Sequence, residues 1–144
     1  MVVLDDHLLL RLLLGDEPAD LRPSGAALTT TGLWYHRLCR ALADQTVVGS
    51  MSRSLGAVDA HVAAEVIAAV IELPESIGLT SLRSLGWPMA NLLSSGVRLN
   101  LLSLEALAAA EHLGGEICLA AVDHNPPLRE AAKQRNVAVR LISN

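Results

Sequence analysis

The stretch Ile117-Cys118-Leu119-Ala120-Ala121-Val122-Asp123 is an uninterrupted apolar run that ends at an acid. A short run without polar alternation is typical of a strand buried on both faces, as in a parallel sheet. Val2-Val3-Leu4 repeats this pattern and ends at Asp5. A helical signal follows each run: leucines at helical spacing over residues 8–13, and two prolines at residues 126–127, which suit the first turn of a helix. This alternation of strands and helices predicts an α/β fold.

Further strand and helix signals lie between these two runs. The segment from Ala26 to Asp44 predicts a helix, although extended residues at Thr29-Thr30-Thr31 are equally compatible because threonine disfavours helix. Residues 45–56 are polar and small, which predicts a loop. The other predicted helices are Asp59–Glu72, Ser81–Ser95 with a kink or break near Pro88, and Leu104–Leu113 capped by Ser103; the other predicted strands are Ser76–Leu79, Val97–Leu101 and Val137–Ile142. We therefore expect one domain over residues 1–144, with a mostly parallel sheet between two layers of helices.

The composition excludes several classes of protein. Hydrophobic residues make up 51% of the chain, which excludes disorder as a description of the whole. The 11 Lys and Arg residues are outnumbered by 15 Asp and Glu residues, which disfavours a basic nucleic-acid-binding module. Two cysteines exclude a disulfide scaffold and an all-cysteine zinc site. No positively charged signal opens the sequence, and charges at Arg11 and Glu65 interrupt the longest apolar stretches, so we expect a cytoplasmic protein without a membrane span.

Acidic residues follow three of the predicted strands. Asp5 and Asp123 come directly after their strands, and Glu105 lies in the first turn of the helix after Val97–Leu101. Because carboxyl ends of parallel strands meet at one edge of a sheet, we expect Asp5 and Asp123 to approach closely enough to share a cation. Clustered carboxylates repel unless a cation neutralises them, and hard oxygen ligands suit Mg²⁺ or Mn²⁺. Alternatively each acid caps a helix or interacts with its dipole, and the doublet with Asp6 leaves open which aspartate points inward.

The basic residues give weaker signals. Arg37 and Arg40 are three residues apart and share a helix face, so they are candidates for contact with RNA phosphates. Scattered arginines more often lie on a solvated surface. The five histidines form no pair at the spacing of a zinc site.

The ordered segments together resemble a PIN domain. The resemblance rests on Val2–Asp5 followed by three leucines, on the helical segment Glu105–Ala110, on Leu119–Asp123, and on a closing helix over Leu128–Ala132 with the strand Val137–Leu141. It covers nearly the whole chain in order and length. It implies a parallel five-stranded sheet in a three-layer α/β/α arrangement, acids that bind Mg²⁺ or Mn²⁺, and hydrolysis of an RNA phosphodiester. Many PIN domains are the toxins of bacterial toxin–antitoxin pairs.

The resemblance assigns Asp5, Glu105 and Asp123 as the catalytic and metal-binding acids. If the helix is aligned by its C-terminal end, Ser103 takes the place of Glu105. The family usually has a second acid in a Thr-x-x-Glu pattern on its second helix. No acid follows Thr30-Thr31 in the next turns of this sequence.

Two functions therefore remain open. One is a Mg²⁺- or Mn²⁺-dependent ribonuclease with an incomplete acidic site, a toxin with a small antitoxin-like partner. The other is a catalytically degenerate PIN-like protein that binds or regulates protein partners. The missing acid weighs against full activity, as does Asp6 where the family has Ser or Thr. Because each lost carboxylate removes attraction for Mg²⁺, we expect weak metal binding and slow or absent RNA cleavage.

We predict a homodimer or a tight complex with a small protein. Leucine-dense helices in a chain with 51% hydrophobic residues expose more apolar surface than a small monomer needs, and large apolar patches usually mark interfaces. Light scattering at micromolar concentration should give twice the mass of one chain. A stable monomer without an apolar surface patch would contradict the prediction.

Overall fold

The computed structural model describes residues 1–44 and 49–144. Five strands form its sheet: β1 (Val2–Leu4), β2 (Leu28–Thr31), β3 (Ile77–Thr80), β4 (Glu116–Ala120) and β5 (Val139–Ile142). All neighbouring pairs are parallel, and their spatial order is β3-β2-β1-β4-β5. The predicted α/β fold with a parallel five-stranded sheet is therefore confirmed.

Seven α-helices lie in the described part of the chain. They are α1 (Asp6–Leu13), α2 (Gly32–Ala43), α3 (Ser50–Gly56), α4 (Ala60–Ile71), α5 (Leu82–Ser94), α6 (Leu101–Leu113) and α7 (Pro126–Gln134). A short 3₁₀ turn over Ala121–Asp123 follows β4. In the described ranges, no helix has the length and apolar character needed to cross a membrane.

Two hydrophobic clusters cover the two faces of the sheet. Val2 and Leu4 pack into one cluster and Val3 into the other, and β4 alternates in the same way. Successive side chains of a strand point to opposite faces, so the alternation places one cluster on each side. Helices α1, α3 and α4 contribute to the first cluster, while α5, α6 and α7 contribute to the second. Helix α2 contributes to both, through Leu38 and Trp34. The arrangement is consistent with a three-layer α/β/α fold.

The segment predicted as a helix from Ala26 to Asp44 contains a strand and a helix. Its threonines lie in β2, as the alternative reading allowed, and Thr31 then accepts a hydrogen bond from Trp34 N–H as the N-cap of α2. A β-branched run pairs well inside a sheet, which explains why the helix begins only at Gly32. The predicted loop over residues 45–56 also differs, because residues 50–56 form α3; residues 45–48 lie outside the described ranges.

The predicted strand Val97–Leu101 is wrong. Val97 N–H donates to Leu92 O and closes the end of α5, and α6 already begins at Leu101. Asn100, not Ser103, caps α6, since the Asn100 side chain accepts a hydrogen bond from Ser103 N–H at 2.9 Å. The five residues that suggest a strand instead connect the end of one helix to the start of the next. Helix α5 also continues through Pro88 without a break.

The strand order brings three chain segments together at the carboxyl edge. The chain leaves β1 towards β2 and β3 on one side, and returns to β4 and β5 on the other. The direction of the crossovers therefore reverses between β1 and β4, the position at which open parallel sheets form a crevice. The residues after β1, the start of α2 after β2, and the turn after β4 become neighbours there.

Candidate functional site

Asp5 serves the fold at this edge. Its Oδ1 accepts a hydrogen bond from Leu8 N–H at 2.9 Å and caps α1, and its Oδ2 accepts one from Ala120 N–H at 2.8 Å. The residue is 1% exposed. Both oxygens therefore join β1 and α1 to the end of β4.

Burial raises the pKa of Asp5 to about 7, and the neighbouring charge of Asp6 adds to this effect. The two backbone hydrogen bonds and His7 act in the opposite direction without cancelling it. Asp5 thus acts as a helix cap, one of the two roles that its sequence position allowed. Its carboxyl takes up a proton near neutral pH.

Asp6, the second member of the doublet, faces a cation. Arg37 on α2 donates from Nη2 to Asp6 Oδ1 at 2.8 Å and from Nε to Asp6 Oδ2. Asp6 is fully buried. Burial is the largest single influence on the pKa of Asp6 and raises it, but the hydrogen bonds and charges of Arg37 and His7 together lower it. Asp6 is therefore held as a carboxylate by a fork-to-fork ion pair.

Asp123 meets the same guanidinium from the other side. Arg37 Nη2 donates to Asp123 Oδ2 at 2.7 Å, while the Asp123 side chain remains 37% exposed. The pKa of Arg37 is raised, chiefly by its hydrogen bonds to Asp6. Asp5 and Asp123 do lie at one edge of the sheet, after adjacent strands β1 and β4. The cation next to Asp123, however, is Arg37, and the carboxylate that shares it is Asp6, because both oxygens of Asp5 accept from backbone N–H groups.

His7 extends this group of contacts outward. Its Nδ1 lies 3.1 Å from Asp6 Oδ1, and its Nε2 lies 2.9 Å from Ser50 Oγ on α3. The hydrogen bond to Asp6 raises the pKa of His7. Asp5, Asp6 and His7 each offer one potential ligand atom, and these atoms lie within 4.8 Å of one another.

Arg37 together with Asp6 and Asp123 forms what we call the arginine bridge. Glu105 makes its hydrogen bond to a different group. It is fully buried on α6, and its Oε1 accepts a hydrogen bond from Leu33 N–H at 2.7 Å, in the first turn of α2. Its Oε2 is buried and has no hydrogen-bond partner among the described residues. A carboxylate at a helix N-terminus is favoured by the helix dipole. Ser103, the alternative to Glu105, is also buried, and its Oγ accepts from Asn125 Nδ2 at 2.9 Å.

These contacts decide whether a divalent ion fits the edge. The oxygens of Asp5 face backbone N–H groups, those of Asp6 face Arg37 and His7, and Asp123 faces Arg37. The guanidinium of Arg37 already lies between Asp6 and Asp123. A Mg²⁺ or Mn²⁺ ion placed there would be repelled by its positive charge unless the guanidinium moved away. Asp6 and Asp123, paired as they are with Arg37, therefore do not fit a divalent ion between them of the kind that the PIN resemblance implies.

The sequence pointed to Asp5, Glu105 and Asp123 but not to the bridge. Arg37 is 31 residues from Asp6 and 86 residues from Asp123, so no local spacing connects them. Its only local signal was the helix face that it shares with Arg40. That spacing suggested a solvated or phosphate-facing pair, and Arg40 is indeed exposed. In the sequence, Asp6 is the other half of a doublet and stands where the PIN pattern has Ser or Thr, and His7 is one of five histidines without the spacing of a zinc site.

A cavity of about 310 Å³ opens beside the bridge. Arg37 and Asp123 line it together with Asn100, His124 and Asn125. Comparison with known proteins adds no family: no family model matches the chain, and no curated protein matches it. The resemblance to PIN domains thus rests on the sequence features alone.

We predict that the stability of the fold falls between pH 5 and pH 8 because of Asp5. The folded state binds the Asp5 proton more tightly than the unfolded state does, from the usual pKa of 3.8 up to about 7. Its contribution is therefore fully present at low pH and is lost as pH rises through the folded pKa, by on the order of 2–4 kcal/mol. The raised pKa of His7 adds a loss of the same sign at higher pH.

Urea unfolding at pH 5 and pH 8 measures this difference. Asp5→Asn should reduce the pH dependence substantially. Asp59→Asn is the matched control, since Asp59 caps α4 from an exposed position and asparagine caps equally well. Equal pH dependence in both variants would contradict the assignment to Asp5.

Proposed function

We propose that the chain is a PIN-like domain that binds protein partners and does not hydrolyse RNA through a divalent metal ion. The observation that carries this proposal is the bridge formed by Arg37 between Asp6 and Asp123. Metal-dependent hydrolysis needs an ion that lowers the pKa of a bound water and neutralises charge on the phosphate. A guanidinium neutralises charge but holds no metal-bound water. Because Arg37 pairs with both Asp6 and Asp123, these two acids are already neutralised without an ion that would generate the nucleophile.

Apolar surface supports the partner-binding half of the proposal. A groove of about 420 Å³ lies between α2 and α4, lined by side chains that include Tyr35, Cys39, Leu42, Ile67 and Ile71. Ile71 is 77% exposed in it. Exposed apolar grooves of this kind commonly mark binding sites, since covering them removes hydrocarbon from water.

The second candidate is a ribonuclease of the PIN type that uses Mg²⁺ or Mn²⁺. It is favoured by the approach of acids from different parts of the chain: Asp5 and Asp6 follow β1, and Asp123 follows β4. Glu105 adds a buried carboxylate with one oxygen free of hydrogen bonds among the described residues. Under this function, RNA would be the substrate and the cell would need a partner to restrain the enzyme.

We predict that the protein does not cleave a mixed RNA pool in millimolar Mn²⁺. The assay compares the wild type with Asp123→Asn, which removes a carboxylate from a half-exposed position, and with Asp16→Asn, an exposed aspartate elsewhere on the surface. All three should match the rate in EDTA. Mn²⁺-dependent cleavage that persists in Asp16→Asn and is lost in Asp123→Asn would establish the ribonuclease instead.

We predict that Ile71→Ser weakens self-association or partner binding through the α2–α4 groove. Replacing an exposed apolar side chain with serine removes contact area without disturbing the core, at a loss on the order of tenfold in affinity. Leu93→Ser, an exposed leucine on α5, is the control. Sedimentation velocity measures the dissociation constant for self-association of each variant. Equal effects of the two changes would place the interface elsewhere.

A further inference from the structure

Arg37 lies where one cation serves two carboxylates. A single nitrogen, Nη2, is 2.8 Å from Asp6 Oδ1 and 2.7 Å from Asp123 Oδ2, and Nε donates to the second oxygen of Asp6. We infer that Arg37 is the resident cation of the carboxyl edge, and that removing its charge converts Asp6 and Asp123, with His7 beside them, into a divalent metal site. This inference rests on the proposed function, in which the wild type uses no divalent metal ion. It adds that Arg37 is the group that keeps the ion out.

The burial of Asp6 makes a cation obligatory. An ionised carboxylate with no exposed surface is strongly disfavoured unless a positive charge and hydrogen bonds compensate it. Arg37 supplies both, because its guanidinium is always charged and presents several donors in a fixed plane. The lowered pKa of Asp6 and the raised pKa of Arg37 agree with this pairing. Without Arg37, the edge must take up a proton or another cation.

The position of Arg37 is itself built into the fold. Glu105 Oε1 holds Leu33 N–H in the first turn of α2, and Thr31 caps the same helix. Arg37 follows Leu33 by one helical turn, so it projects from the same face. The guanidinium is therefore held against Asp6 and Asp123 by a helix that is anchored at its N-terminus.

The geometry makes arginine and a divalent ion mutually exclusive. The oxygens of Asp6 and Asp123 converge on one nitrogen at 2.8 and 2.7 Å. Mg²⁺ holds oxygen ligands at about 2.0–2.1 Å and keeps several waters, so an ion with its waters needs the volume that the guanidinium fills. His7 Nδ1 lies 3.1 Å from Asp6 Oδ1 and donates to it in the wild type; once released from this hydrogen bond and deprotonated, the imidazole offers a nitrogen ligand that Mn²⁺ accepts more readily than Mg²⁺ does. Mn²⁺ is therefore the ion of choice for a test.

The experiment compares four proteins: the wild type, Arg37→Gln, Arg37→Lys and Arg40→Gln. Arg37→Gln removes the charge and keeps much of the length, and Arg37→Lys keeps the charge. Arg40→Gln removes an exposed arginine one turn further along α2 and controls for net charge. Mn²⁺ binding is measured by the loss of the free-ion signal in electron paramagnetic resonance, and thermal unfolding is followed with Mn²⁺ or with EDTA.

We expect Arg37→Gln to bind Mn²⁺ at least tenfold more tightly than the other three proteins, and to unfold at a higher temperature with Mn²⁺ than with EDTA. If Arg37→Gln is unfolded in EDTA, folding on addition of Mn²⁺ gives the same support. Equal Mn²⁺ binding by the wild type and Arg37→Gln would overturn the inference. So would Arg37→Gln that neither binds Mn²⁺ when folded nor folds when Mn²⁺ is added.

The outcome is separable from that of the RNA assay. Failure of Arg37→Gln to gain Mn²⁺ overturns the resident-cation inference, while an inactive wild type still supports the proposed function. Mn²⁺-dependent RNA cleavage by the wild type overturns the proposed function, whatever Arg37→Gln binds.

Discussion

The carboxyl edge depends on the charge of one buried carboxylate, that of Asp6. A carboxylate excluded from water needs a cation in direct contact, and Arg37 is that cation. This need for a cation involves more than Asp6 and Arg37, because Arg37 lies on α2 and this helix must be held in place. Glu105 and Thr31 hold its first turn, and Asp123 accepts from the outer side of the guanidinium. Segments that follow β1, β2 and β4 are therefore coupled through one side chain.

The adjacent aspartates of the doublet have different tasks, although both are buried. Asp5 accepts backbone hydrogen bonds on both oxygens and has its pKa raised by burial. Asp6 accepts from a guanidinium and has its pKa lowered. Two neighbouring carboxylates would repel each other strongly if both were ionised without compensation. The doublet is tolerated because one acid carries a partial proton population near neutral pH while the other is paired with arginine.

The same contacts bear on the PIN-like function weighed under Proposed function. The structure shows a parallel sheet with acids at the switch point between β1 and β4. The resemblance implies an acid on the second helix, three residues after a threonine, but the residues three after Thr30 and Thr31 are Leu33 and Trp34. The charge that α2 brings to the carboxyl edge comes instead from Arg37, one turn further along, and it is positive.

The sequence by itself determined much of the secondary structure and the edge at which the acids lie. The apolar runs at residues 2–4 and 117–122 predicted buried parallel strands, and the acids that follow them predicted the carboxyl edge. The second strand ends earlier than predicted, at Ala120, because a 3₁₀ turn over Ala121–Asp123 follows it. Both signals are local, since they depend on neighbouring residues and on the periods of strands and helices. Competing local signals explain the errors. The apolar residues after Gly96 suit a strand as well as the junction of two helices, and in the structure Val97 N–H closes α5 while Asn100 caps α6.

Tertiary structure alone decided which acid meets which cation. Asp6, Arg37 and Asp123 are distant in sequence and become neighbours because β1 lies between β2 and β4 in the sheet. That order depends on the packing of helices on both faces, which no short segment encodes. The burial of Glu105 was decided in the same way: its position in a first turn suggested a solvated acid, but the close packing of α6 against α2 buries it against Leu33 N–H. Pairing over long sequence separations is a property of the whole fold, because it is set by the closure of the chain around the sheet.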